Sequence, residues 1–350
     1  MIPKELSEQI VVAGISPDGK GGVSSVIASQ RNMLEIFNFV KISGSGLSKF
    51  YQPFVALFSS LKFLSKKYKA VHLHTSSYKD FYRNTPFVYL YKLMGKKVLL
   101  HIHGAKFDEF TESKRGFVKT VCNKADGLIG VSSYFVKFFK DNNLNENVYL
   151  LHNGIDAVEE DIVRKESDGD ITVFSYFGAL DDRKGIFDVV ETIGLNKELF
   201  DGKILFYIGG KGDVERLTKL IEKYDLKEIV KFLGWLDAQK KSELLLKTDV
   251  FIHPSSFESF GISILEAMNY GLPVITTKIG GIPDLVKNGE NGLFVGVGNK
   301  DDIRDAMLKL SSDKKMRHEM GEKSSLYAKE FGFPKIERKL EGIYQDILKD

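Results

Sequence analysis

The sequence predicts an α/β protein built as two Rossmann-like parallel-sheet lobes facing across a cleft. Short apolar, β-branched runs alternate with stretches of helical period, and that alternation occurs twice along the 350 residues. Between the two series lies an acidic segment, Glu159 to Asp170, with little that could fill a core, which makes it the natural boundary. Ligands of open parallel sheets collect at the carboxyl ends of the strands, so function is expected in the cleft between the lobes.

In the first series the runs Ile10 to Ala13, Ala70 to Leu73, Lys97 to Ile102, Gly127 to Val131 and Val148 to Leu151 read as strands. In the second, Ile171 to Phe177, Lys203 to Ile208, Val230 to Leu233, Val250 to His253, Pro273 to Thr276 and Gly292 to Val295 do so. Most of the intervening stretches read as helices, and no internal repeat or low-complexity tract interrupts them.

Composition narrows the setting. At 43% hydrophobic the chain can bury two ordinary cores. A single cysteine, Cys122, excludes an intrachain disulfide framework. With no N-terminal signal-like segment, a reducing, cytoplasmic location is expected. The most apolar N-terminal stretch, Phe50 to Leu64, is interrupted by Gln52, Pro53 and Lys62 and falls short of the roughly 20 residues of a spanning helix.

The net charge of +3 hides an asymmetry. Residues 1 to 156 hold 21 basic against 12 acidic side chains, and the remainder holds 29 against 35. A basic first half whose lysines are interleaved with Phe50, Tyr51, Phe54, Phe58, Leu61, Phe63, Leu64 and Tyr68 favours reversible docking on an anionic membrane. It shows no recognisable module for reading nucleic acid.

Two segments of the second half carry chemistry. In His253-Pro254-Ser255-Ser256-Phe257-Glu258-Ser259-Phe260-Gly261-Ile262, running on to Glu266, a strand ends near His253 and an apolar helix starts around Gly261. The N–H groups of Ser259, Phe260, Gly261 and Ile262, at the start of a helix, suit a phosphate. Carboxylates beside a phosphate are electrostatically costly, so Glu258 and Glu266 are expected to accept hydrogen bonds from sugar hydroxyls. The second segment, Phe177 to Gly185, places Arg183 and Lys184 in a strand-to-helix loop, where two cations can neutralise a departing diphosphate without a metal.

With these residues in view, the chain resembles the retaining glycosyltransferases of the family 4 type, which have the two-lobed GT-B fold. The resemblance spans nearly the whole chain. It rests on Glu258 and Glu266 with seven residues between them, on Arg183-Lys184-Gly185, on Asn153-Gly154-Ile155-Asp156 at the lobe junction and on the glycine-rich loop after the first strand. It implies an acceptor-binding lobe of residues 1–157 plus a C-terminal helix at about 335–350, and a donor-binding lobe of residues 158–334. It also implies that Lys184 binds the donor diphosphate, Glu258 contacts the transferred sugar and Glu266 grips the ribose. A base pocket is implied around Gly209, Gly210 and the following residues to Gly212, and at Gly234 and Trp235; from sequence these glycines look no different from turn residues. Where many relatives carry Arg after the glycine at Gly178, this chain has Ala179, and Arg183 is expected to supply that charge.

In the first lobe, Asp18-Gly19-Lys20-Gly21-Gly22 follows a strand. The resemblance places Gly22 against the donor phosphate and Lys20 and Gly21 beside the acceptor. The loop nearly matches a P-loop but has Gly21 where Ser or Thr would hold Mg²⁺. Gly210 to Glu215 lacks the third glycine of a dinucleotide fingerprint, which leaves a dehydrogenase unsupported. His72 with His74, and His101 with His103, form two pairs at strand spacing. Without nearby carboxylates or cysteines of ligand spacing they read as cleft lining rather than a metal site. His103, next to Gly104, resembles the histidine that relatives place beside the transferred sugar; His74 lines the same cleft, and His72 and His101 are expected to be structural.

The expected activity is therefore transfer of a hexose or N-acetylhexosamine from a nucleoside diphosphate sugar to a hydroxyl of a glycan acceptor, expected to be lipid-linked from the basic and aromatic character of the first lobe, with retention, no cofactor and no metal, in polysaccharide or glycolipid assembly. A UDP-sugar is favoured over a GDP-sugar. A sugar-nucleotide epimerase of the same fold and a non-catalytic nucleotide-sugar binder are the competing readings.

Overall fold

The structure, a computed structural model, describes residues 1–19, 21–43, 48–104, 106–158 and 171–349. The acidic segment Glu159 to Asp170, Lys20 and Leu47 lie outside the described residues. The chain forms two compact units, one of Met1–Gly154 with Phe331–Asp350 and one of Ile155–Glu330.

The first unit is a six-stranded sheet of β1 (Ile10–Gly14), β2 (Asn38–Lys41), β3 (Ala70–Thr75), β4 (Lys97–Ile102), β5 (Gly127–Gly130) and β6 (Val148–Leu150), in the order β2-β1-β3-β4-β5-β6. Every pairing is parallel. β1 and β3 are wholly buried, as expected of parallel strands covered on both faces. β2 escaped the sequence reading because it is a four-residue edge strand with only Val40 buried. The helix Phe333–Ile347 returns to this unit, and its Ile336, Leu340, Ile343, Tyr344 and Ile347 recur at helical spacing in the same core as Ile10, Val12, Leu99 and Ile129.

The second unit has β7 (Thr172–Leu180), β8 (Ile204–Gly212), β9 (Val230–Phe232), β10 (Val250–His253), β11 (Val274–Thr277) and β12 (Gly292–Val295), ordered β12-β11-β10-β7-β8-β9, again all parallel. Strand order reverses between β1 and β3 in the first unit and between β7 and β10 in the second. Doubly wound sheets bind ligands at that reversal.

β8 runs four residues further than its apolar pattern suggests, through Gly209, Gly210 and Gly212. These glycines are strand residues rather than turn residues. Gly178 pairs with Gly210, and Gly210 N donates to Gly234 O at 2.7 Å. Gly210 has φ +149°, and a Cβ there would stand 1.9 Å from the Gly178 carbonyl oxygen. Gly210→Ala should therefore lower the stability of this unit by about 2 kcal/mol or more. The fluorescence of Trp235, the one tryptophan of the chain, reports the shift in denaturant midpoint; an unchanged midpoint would show that the strands part without cost.

Candidate functional site

In the second unit, the loops after β7 and β10 meet at the point of strand reversal. After β7 a 3₁₀ turn, Asp182–Lys184, precedes the helix Ile186–Leu195. The Arg183 carbonyl accepts from Ser255 Oγ at 2.8 Å and from Ser256 N at 2.8 Å, which ties this turn to the loop that follows β10. Lys184 Nζ then lies 2.5 Å from Glu258 Oε2, with the two side chains 20% and 13% exposed. His253 Nε2 stands 3.5 Å from the same oxygen.

The charge state of this cluster follows from its surroundings. Burial works against ionisation of Glu258, but the His253 contact and the Lys184 ammonium outweigh it and hold the carboxyl at about 2. His253 is buried and stacked on Tyr176, and burial keeps it below the usual histidine value despite Glu258. A neutral imidazole, a carboxylate and an ammonium thus share one small site.

His253, expected only as the end of a strand, and the pair Gly280-Gly281 join the residues of this site. The Gly281 N–H donates to the Glu258 carbonyl at 3.3 Å, and a Cβ on Gly280 would lie 1.8 Å from that same oxygen. The glycine pair after β11 is the signal that was available for this contact.

The other expected residues sort by what they touch. Gly261, at φ +103°, caps the helix Ile262–Asn269; Phe260 is buried, while Ser259 and Ile262 are partly exposed. Glu266, on that helix, pairs with Lys241. Trp235 is 49% exposed with Lys211 Nζ over its ring at 4.9 Å, and it follows Gly234, whose carbonyl accepts from Gly210 of β8. Arg183 stands apart from the Lys184–Glu258 pair: its side chain is 55% exposed and bonds Asp181 at 2.5 Å. Ala179 sits in β7, its carbonyl accepting from the buried Tyr176 hydroxyl at 2.6 Å.

In the first unit, Gly21 (φ +136°) caps the helix that begins at Gly22, in the loop after β1. The four histidines expected as two separate pairs form one buried cluster on β3 and at the end of β4. His72 Nε2 lies 3.0 Å from His101 Nδ1, and His74 Nδ1 lies 2.9 Å from His103 Nε2. Burial is the chief cause that pushes all four below the usual histidine range, His72 and His103 to about 3.

Two doubly wound parallel sheets, one with a glycine-containing and one with a charged loop at its point of strand reversal, are the components of the GT-B architecture. Comparison with known proteins agrees. Residues 157–326 match the model of the family "Glycosyl transferases group 1". The chain is 27% identical over 255 residues to an uncharacterised glycosyltransferase of Methanocaldococcus jannaschii, covering 71% of this chain and 68% of that one. It is 33% identical over 169 residues to N-acetyl-alpha-D-glucosaminyl L-malate synthase of Bacillus anthracis, covering 48% and 43%. Among solved structures, HepE of Anabaena in complex with UDP and glucose superposes with a TM-score of 0.76 at 16% identity, over 97% of this chain and 99% of that one. The sucrose-phosphate synthase of Thermosynechococcus elongatus does so at 0.77 and 18%, over 97% and 99%. The matches support a GT-B glycosyltransferase.

The buried titrating groups set the acid limb of stability. An imidazole whose folded value is depressed below 6.5 stabilises the fold fully above pH 6.5, and that contribution is lost as pH falls toward the folded value, about 3 for His72 and His103. Glu258 contributes in the same direction but over a lower window, from 4.5 down to about 2. With four such histidines in the first unit and His253 alone in the site of the second, the first unit should unfold at the higher pH on acid titration. Far-UV circular dichroism followed beside Trp235 fluorescence would show the loss of ellipticity first; Trp235 changing before it would refute this.

Proposed function

We propose that the chain transfers a hexose or N-acetylhexosamine from a UDP-sugar to a hydroxyl of a glycan acceptor carried on a lipid, with retention of configuration and without a metal. The observation that carries this reading is the Lys184–Glu258 pair at the strand reversal of the second unit. In the free protein the ammonium rests on the carboxylate. An arriving diphosphate competes for Lys184, and its β-phosphate draws on the N–H groups at the start of the helix Ile262–Asn269 as well. Glu258, released from Lys184 but still ionised, then accepts hydrogen bonds from the donor sugar.

As the glycosidic C–O bond to the diphosphate breaks, charge grows on the leaving oxygen, and Lys184 stabilises it there. The acceptor oxygen bonds the anomeric carbon from the same face and passes its proton to the departing phosphate. Glu258 orients the sugar and forms no covalent bond. Arg183 can swing from its exposed pairing with Asp181 to the same phosphate. Glu266 takes the ribose, and the backbone of β8 from Gly209 to Gly212 with the exposed Trp235 takes the uracil. HepE, whose fold is alike, was crystallised with UDP-glucose, which favours uridine here.

Lys184→Ala should weaken UDP binding measured in EDTA and lower turnover roughly a hundred-fold or more. Activity within a few-fold of wild type on a defined donor and acceptor would remove Lys184 from the mechanism. A product formed without any acceptor would instead make the protein an epimerase.

The membrane part of the reading rests on the helix Ser48–Leu61 and the turn Lys62–Leu64. Ala56, Ser60 and Phe63 face inward, while Tyr51, Phe54, Leu57, Phe58, Leu61 and Leu64 are exposed, Phe58 to 69%. Lys62, Lys66 and Lys67 follow directly. No helix among the described residues is long and apolar enough to cross a membrane, and an exposed apolar face flanked by lysines suits the surface of an anionic bilayer. The protein should float with vesicles containing anionic lipid, and Phe54→Ser with Phe58→Ser should abolish flotation. Equal failure of the wild type with neutral and anionic vesicles would overturn the docking.

A further inference from the structure

The buried histidines of the first unit are joined through Gln30, a residue of the helix Gly22–Met33 that is itself only 4% exposed. Its amide nitrogen donates to Tyr344 Oη at 2.5 Å and lies 2.7 Å from His72 Nδ1. Its amide oxygen lies 2.6 Å from His74 Nε2. Tyr344 Oη is in turn 2.7 Å from His72 Nδ1.

A neutral imidazole has one N–H donor and one lone-pair acceptor, so fixing one nitrogen fixes the other. Along one branch, the Gln30 amide oxygen can only accept, and His74 must donate to it from Nε2. His74 Nδ1 is then an acceptor, and its partner His103 must donate from Nε2. His103 Nδ1 carries the lone pair. Along the other branch, the Gln30 NH₂ donates to His72 Nδ1, His72 donates from Nε2 to His101 Nδ1, and His101 holds its proton on Nε2, a buried nitrogen without a partner.

We infer that Gln30 is a positioning residue: through His74 it holds His103 in the single tautomer with its proton on Nε2, so that Nδ1 is presented as a hydrogen-bond acceptor for a substrate hydroxyl. The substrate half of this statement rests on the proposed transferase reading; the tautomer half does not. All four imidazoles remain neutral near pH 7, since burial holds them far below 6.5. The network therefore stays in the donor and acceptor pattern just described throughout the neutral range.

Ligand atoms of His72, His74 and His101 all lie within 4.8 Å of one another, the spacing of a cluster that could take a metal ion. Their nitrogens facing one another and Gln30 are already engaged in hydrogen bonds of 2.6 to 3.0 Å, and a metal would have to break several of them. The hydrogen-bonded relay is the arrangement the distances favour.

The test is long-range ¹H–¹⁵N correlation on the full-length protein labelled at histidine, at pH 7 after EDTA treatment, with resonances assigned by single His→Asn variants. His103 should show one species protonated on Nε2. In Gln30→Met it should become a mixture of both tautomers, whereas Tyr344→Phe, which removes only the hydroxyl on the other branch and serves as a second variant if the first fails to fold, should leave His103 as it is. In a transferase assay Gln30→Met should lose roughly ten- to a hundred-fold in kcat with KM little changed. His103 protonated on Nδ1, or a tautomer indifferent to Gln30→Met, would overturn the assignment. So would a shift of the His72, His74 and His101 resonances on adding one equivalent of Zn²⁺, which would make the cluster a metal site. Loss of all transferase activity in the wild type with the tautomers as expected would strike the transferase reading and leave the relay standing.

Discussion

Glu258 is a largely buried carboxylate, 13% exposed, and its loop is arranged around the cost of keeping it ionised. An unpaired charge in that position would be prohibitive. Every neighbouring device bears on it: Lys184 supplies the opposite charge, His253 a neutral polar contact, and the glycine pair after β11 lets a backbone N–H reach the residue's own carbonyl. The two loops that bring Lys184 and Glu258 together are joined through the Arg183 carbonyl, so the ion pair and the backbone stitch support one another. A buried pair of this kind is weak evidence for stability alone. In the proposed reaction its value lies in what a diphosphate would do to it: the ligand would take the cation and leave a carboxylate already largely desolvated.

The first unit meets the opposite problem with the opposite means. It buries four titratable rings with no carboxylate among their described partners, and so keeps them neutral and matches donors to acceptors in sequence through Gln30 and Tyr344. One unit relies on charge compensation and the other on proton placement. The Lys184–Glu258 pair follows the carboxyl ends of the two strands at the reversal of sheet order, and the histidine cluster runs from the middle of β3, a strand of the other reversal, to the carboxyl end of β4.

Sequence alone resolved what depends on local pattern. Lys97–Ile102, Val250–His253 and Gly292–Val295 are bounded in the structure as their apolar runs indicate, and the helix starts at Ile186 and Ile262 follow from the glycines before them. Strand–loop–helix context was enough to single out Lys184 and Glu258, each in its own loop; that the two pair with one another shows only in the structure. What escaped depended on partners remote in the chain. β2 has too few buried positions to show a period, and the run Gly209 to Gly212 is a strand only because Gly178 and Gly234 pair with it. Nothing local in Arg183 shows that Asp181 holds it while Lys184, one residue on, turns to Glu258. His72 and His101 read as inert structural residues because the network that joins them runs through Gln30, which bonds His72 from forty-two positions away on the buried face of another helix, and His101 enters it only through His72.

The return of the C-terminal helix to the first unit gains a physical reason from the same contacts. Gly154 belongs to the Asn153-Gly154-Ile155-Asp156 motif, and a Cβ there would come within 2.4 Å of the Phe333 ring, so the motif's glycine is what lets the helix Phe333–Ile347 begin where it does. Ten residues after that contact the helix delivers Ile343 to the core and Tyr344 to the histidine cluster. The burial of Ile336, Leu340, Ile343 and Ile347 would by itself justify the docking energetically, at about 25 cal/mol per Å² of apolar surface removed from water. Tyr344 adds a polar constraint that hydrophobic burial lacks, because its hydroxyl meets Gln30 and His72 only in one rotational setting of the helix. Apolar side chains can slide against one another at small cost; a buried hydroxyl with two partners cannot. The helix is therefore held in register by the same network that places the protons on β3 and β4.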